Sequence, residues 1–173
     1  MVLKNAGITG GGGIAVFAGS DNYVITNNTV VGNLTRGNGA GICHEGLSTN
    51  GLIVGNRIVA NEVFYAANIG GAGGGLYLAG EAPPAGLVTP GAGDITVRNN
   101  LIQGNLAGGQ HGGGIRAAYF NGQDVQANPG QTNLWHALNL FNNIIVNNVA
   151  GYAGGGVSLQ DTARCAIINN TIA

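Results

Sequence analysis

Apolar positions recur along this chain in two short alternating blocks, and no window keeps an apolar period of 3.6 over 11 residues. One block reads ITNNTVVGN at 25–33 and returns as IVGNRIVAN at 53–61, VRNNLIQGN at 97–105, LFNNIIVNN at 140–148 and IINNTIA at 167–173. The other is a run of small residues, mostly glycine, closed by an aliphatic residue at Ile14, Ile42, Leu76, Ile115 and Val157. The apolar segments are short, rich in β-branched residues and punctuated by Gly and Asn, which predicts strands.

Spacing turns the repeat into geometry. Two Asn stand five residues apart in each complete first block, while the lengths between blocks vary and the shortest full repeat is 27 or 28 residues. A rigid frame with length changes confined to corners is the behaviour of a solenoid. The residues three before the first block Asn (Ile25, Ile53, Val97, Leu140, Ile167) and two after it (Val30, Ile58, Ile102, Ile145, Ile172) are predicted to point inward. The expected fold is all-β: a parallel β-helix of about five coils, one domain over 1–173, with corner inserts near 81–93 and 119–135. Asn28, Asn56, Asn100, Asn143 and Asn170, and Asn5, Asn33, Asn61, Asn105 and Asn148, are expected to form structural ladders that pass amide hydrogen bonds between coils and to hold the left-handed backbone of the corners. Glycine before each aliphatic residue is expected to supply positive φ where a Cβ would clash. The sequons at Asn27, Asn33 and Asn169 fall within this repeat and need no glycan to explain them.

The pairing of aliphatic-x-x-Asn (Val30 to Asn33, Ile58 to Asn61, Ile102 to Asn105, Ile145 to Asn148) with Gly-Gly-Gly-aliphatic resembles the right-handed parallel β-helix repeats of the pectin-lyase-like superfamily. It is most similar to the repeats of polymorphic outer-membrane autotransporter passengers, with Gly here for their Ala and an aliphatic residue for their Phe. The resemblance implies a right-handed coil and an extracellular or cell-surface location. For an enzyme it implies an outward cleft on one sheet carrying clustered acids and a basic residue.

Composition narrows the partners. Glycine supplies 34 of 173 residues, yet 45% of the chain is hydrophobic and the net charge is only −1, unlike a disordered segment. Glycine has no strict period of three, which excludes collagen. Six Lys+Arg against seven Asp+Glu make no basic footprint, so no nucleic-acid partner is expected. No apolar run approaches the roughly 18 residues of a spanning helix, so no membrane insertion is expected, and the start MVLKNAGITG has no signal-peptide pattern. Cys43 and Cys165 fall several layers apart and read as unpaired thiols.

Candidate chemistry is sparse. In the strand after the glycine block the outward positions are Ala15, Cys43, Tyr77, Arg116 and Ser158, then Phe17, Glu45, Ala79, Ala118 and Gln160. One carboxylate appears on that face, and the seven acids read as solvated charge scattered over the coils. Alternation sends His44 inward beside Leu78 and Leu159 and leaves Cys43 outside. His111 in a glycine corner and His136 in an insert have no partner by spacing. No catalytic, metal or cofactor residues are assigned. The two inserts leave the same corner and are expected to form one lobe, where Tyr119, Phe120 and Trp135, with Tyr77 nearby, either stack on sugar rings or bury themselves under their own loops.

The expected function is a noncatalytic structural or adhesive β-solenoid. Val2 and Ile172 align at one angular position, leaving open rungs for head-to-tail stacking into fibres or for flanking coils of a longer chain. The alternative is a module that binds or cleaves a polysaccharide.

Overall fold

A computed structural model describes residues 1–64 and 70–173. Almost all regular structure is short parallel strand, as the β-branched segments predict. Four sheets share the strands. Sheet I holds six: Val2–Leu3, Thr29–Val31, Arg57–Val59, Leu101–Gln103, Ile144–Val146 and Thr171–Ile172. Sheet II holds Ala6–Gly7, Leu34–Thr35, Glu62–Val63, Leu106–Ala107 and Val149–Ala150. Sheet III holds Ile14–Phe17, Ile42–Glu45, Leu76–Ala79, Ile115–Ala118 and Val157–Leu159. Sheet IV holds Val24–Thr26, Gly51–Val54, Ile95–Arg98, Leu138–Phe141 and Cys165–Ile168. The chain visits the sheets in rotation, and every strand pairs in parallel with its counterpart one repeat away, the arrangement of a β-solenoid.

The register stacks like on like. Ile25 pairs with Ile53, Ile53 with Val97, Val97 with Leu140 and Leu140 with Ile167, while Val30, Ile58, Ile102, Ile145 and Ile172 form the second predicted column. These columns fill the interior together with Leu76, Leu78, Ile95, Ile115 and Leu138.

The ladders are present. In the first, the backbone N–H and side-chain Nδ2 of Asn56 both donate to Oδ1 of Asn100, at 2.8 and 3.0 Å, and Asn100 treats Asn143 in the same way at 3.0 and 3.0 Å. The second hydrogen of Nδ2 goes back a rung, from Asn100 to the carbonyl of Ile53 and from Asn143 to that of Val97. The second ladder, from Asn5 through Asn33, Asn61 and Asn105 to Asn148, repeats the pattern. Each amide inside a stack therefore satisfies a backbone N–H and a backbone carbonyl that lie where the strands turn.

Two expectations about the corners need correction. The left-handed residue is the one before each ladder Asn: Asn27, Asn99, Asn142 and Asn169 in the first ladder, with Gly55 holding that position before Asn56. The ladder Asn is thus freed for bonding, and its neighbour takes the strained φ. In the glycine block the positive φ belongs to the third residue before the aliphatic, as at Gly73 with φ 70°. The residue immediately before the aliphatic serves close approach instead, since a Cβ on Gly75 would lie 2.6 Å from the Gly114 carbonyl oxygen.

Among the described residues the helical content sits in the second insert, as a helix at Gln123–Ala127 and a 3-10 turn at Thr132–Leu134. Both inserts leave sheet III and return to sheet IV, and they touch: Gln123 donates through its backbone N–H to the Thr89 carbonyl at 2.9 Å. Asp124 closes the longer insert by accepting from Gly122 N–H at 2.7 Å, Asn121 Nδ2 at 2.7 Å and His136 N–H at 2.8 Å.

Candidate functional site

The outer face of sheet III gathers the polar groups that the ladders leave unused. Strand alternation places Cys43, Tyr77, Arg116 and Ser158 in one outward column, and Glu45, Ala79 and Ala118 in the next. This face is not the open surface that alternation alone suggests. Cys43 and Ala79 are fully buried, and Ala72, Tyr77, Ala118 and Tyr119 pack with them as a second apolar cluster outside the tube. The chain between sheets II and III supplies part of that cover through Ala72. Burial pushes the Cys43 thiol up to about 12, with Glu45 adding to the effect, so at neutral pH it is an inert thiol. Cys165 is also unpaired and only partly buried.

Arg116 lies on this face with 7% of its surface exposed. Its guanidinium donates to Ser158 Oγ at 2.8 Å and to Gln160 Oε1. Burial lowers its pKa, while the neighbouring Tyr77, Asp161 and Tyr119 act the other way. A cleft of about 270 Å³ opens over it, with Tyr77, Tyr119, His111, Gln110, Asn38 and Gln160 in its walls.

Glu45 is half-buried, and its carboxyl is raised by burial and by the nearby Glu81. Sequence spacing gives no sign of this pair, since the two acids are 36 residues apart and belong to different blocks. The pairing of Ala79 with Glu45 explains it, because Glu81 follows that strand by two residues. Among the described residues no group of three or more His, Cys, Asp and Glu is placed to hold a metal.

The aromatic candidates separate. Phe120 is fully buried and belongs to the main core, so it cannot stack on a ligand. The cause is local: Tyr119 adopts φ 49°, which breaks strand alternation and turns the next side chain inward. Tyr77 is buried in the outer cluster, with burial and then Glu45 raising its phenol. Trp135 is half-buried in the long insert, its Nε1 donating to the Asn128 carbonyl at 2.8 Å. Tyr119 lines the cleft and Trp135 does not. His136 braces the insert, and His111 stacks edge-on against Tyr152 at 4.8 Å.

His44 points inward in the column of Val16, Leu78, Ala117 and Leu159. It is fully buried, and its ring nitrogens meet Tyr23 and the Ala92 carbonyl. No family model, curated protein or solved structure matches the chain.

Proposed function

We propose that this chain is a noncatalytic structural module: a right-handed parallel β-helix of about five coils, of the pectin-lyase-like kind and nearest to autotransporter passenger repeats, exposed outside the cell. The observation that carries the reading is how the side chains are spent. The Asn columns bond to the backbone and to one another, and the aliphatic columns fill the tube, so the repeating residues all serve the stack.

The same columns supply a mode of association. Ile167 and Ile172 are 45% and 48% exposed, although the members below them in their columns, Leu140 and Ile145, are fully buried. The strand Thr171–Ile172 is paired on one side only. An edge of this kind templates pairing with another strand, and a non-closing contact between unlike ends builds a filament. We infer that this rung is met either by a second copy stacked head to tail or by flanking coils of a longer chain. Sedimentation and electron microscopy of the purified chain test this: concentration-dependent rods are expected, and a strictly monomeric species at high concentration overturns self-stacking. Binding or cleavage of a polysaccharide is the competing function, and turnover of pectate, alginate or a glycosaminoglycan would replace the structural reading.

A further inference from the structure

The chain has six Lys and Arg residues, and five of them, Lys4, Arg36, Arg57, Arg98 and Arg164, are exposed. Arg116 alone is buried. A guanidinium keeps its charge under all ordinary conditions, and a buried charge is costly unless an opposite charge meets it. The hydrogen bonds of Arg116 go to two neutral groups, the Ser158 hydroxyl and the Gln160 amide oxygen. These hold the planar group in place and occupy two of its five N–H donors, while the carboxylate of Asp161 acts on it without a hydrogen bond.

Arg116 also lines a cleft. We propose that this cleft binds a small ligand through a single carboxylate, with Arg116 as the anion receptor and the polar wall of Tyr119, Gln110 and Asn38 meeting the ligand's hydroxyl groups. Arg is the side chain whose fork matches a planar carboxylate. The volume of about 270 Å³ is just below the usual range for drug-sized ligands and suits a small hydroxy acid or the end of a larger one. A monoanion is favoured over a phosphate because Asp161 acts on Arg116 and Glu45 acts on Tyr77, so the surroundings already carry negative charge. The site stands apart from the ladders and the stacking rung, so it can operate whether or not copies associate.

The test is a titration of the full chain with lactate, with lactamide as the neutral isostere and inorganic phosphate as the other anion, read by side-chain NMR of the arginine Nε–H groups and by the shift in melting temperature. Saturable movement of the Arg116 signal with lactate, none with lactamide and weaker movement with phosphate are expected. Arg116→Gln should abolish lactate binding, and Arg116→Lys should weaken it about tenfold while keeping the preference over lactamide. If Arg116→Gln does not fold, Arg116→Lys decides, and unchanged affinity in it overturns the proposal. Failure of lactate to move the Arg116 signal, equal binding of lactamide, or a preference for phosphate also overturns it.

Discussion

The phenol of Tyr23 donates to Nδ1 of His44 at 2.9 Å, and the opposite ring nitrogen, Nε2, meets the Ala92 carbonyl at 2.9 Å. A carbonyl can only accept, so Nε2 carries the proton. Burial disfavours the charged ring, and in the neutral ring Nδ1 is the acceptor, so both nitrogens are satisfied. Burial lowers its pKa from the ordinary 6.5, against the smaller raising effect of the backbone groups of Ala92 and Gly46.

This relation gives the fold an acid-sensitive step. With the folded pKa depressed, folded and unfolded chains are both neutral at His44 well above pH 6.5, and its contribution is fully present there. Below that value the unfolded chain takes up a proton that the folded chain refuses, so stability falls with pH until the folded pKa is passed. Denaturant unfolding measured from pH 7.5 down to about 5 should show this slope, and His44→Gln should flatten it. Tyr23→Phe should cost about 1–3 kcal/mol at pH 7.5 by leaving Nδ1 unpaired. A variant as stable as the parent would refute the internal bond.

A second window lies lower. Burial raises the Asp124 carboxyl, but the bonds from Gly122, Asn121 and His136 outweigh it, and the net shift is downward from 3.8. Its contribution is present above that value and is lost as pH falls through the depressed one. Glu45 works against this loss, because its carboxyl is raised and the folded chain takes its proton first. Asp124→Asn should remove the lower window and loosen the insert, visible as faster amide exchange at Gly122 and His136. Exchange at Asn100 should not change.

The ladder can be weighed at Asn100. A leucine there would leave Oδ1 of Asn143 with the residue 100 backbone N–H alone, would take the Asn100 Nδ2 donor from the carbonyl of Ile53, and would leave the N–H and Nδ2 of Asn56 without their acceptor. Each unmet buried group costs about 1–3 kcal/mol, so Asn100→Leu should cost about 3 kcal/mol or more. Asn28→Leu, in a partly exposed position at one end of the stack, should cost clearly less. Equal thermal stability of Asn100→Leu and the parent would remove the ladder from the account of the fold.

Much of this architecture was legible because a solenoid repeats its contacts as faithfully as its sequence. The columns through Ile53 and Ile58, the five-residue Asn step and the shared corner of the inserts all follow from spacing. The division between Asn99, which takes the positive φ, and Asn100, which makes the bonds, was hidden because both positions read as Asn. The cover over sheet III was hidden for a different reason. Alternation tells which face Cys43 is on, but the residues that bury it, such as Ala72, come from stretches where the repeat length varies. Which of the two readings holds for Phe120 was not legible, because one left-handed residue, Tyr119, reverses the alternation that follows it and turns Phe120 into the core. The Glu45 and Glu81 pair has a different origin, since it is made by register between a strand and an insert.

Two glycines separate the two uses of that residue. Gly104 has φ 62° and nothing within 4 Å of an added Cβ, and in the same corner of the next repeat Asn147 holds φ 55°. Gly104→Asn should therefore fold with stability within about 0.5 kcal/mol of the parent, since Asn tolerates this conformation and the substitution is at the surface. Gly75 has no such φ, yet an added Cβ would meet the Gly114 carbonyl oxygen at 2.6 Å, Ile102 Cγ2 at 3.0 Å and Asn105 Nδ2 at 3.1 Å. Backbone, core and ladder converge on that point, so the rung would have to move away from its neighbour. Gly75→Ala should lose about 1–3 kcal/mol or more, the range of an overpacked core, and its melting temperature should fall well below that of Gly104→Asn. A ranking by backbone φ alone gives the reverse order. Gly104→Asn proving the more damaging of the two would show that the rungs approach less closely than the bond from Leu76 N–H to the Gly114 carbonyl, at 2.8 Å, requires.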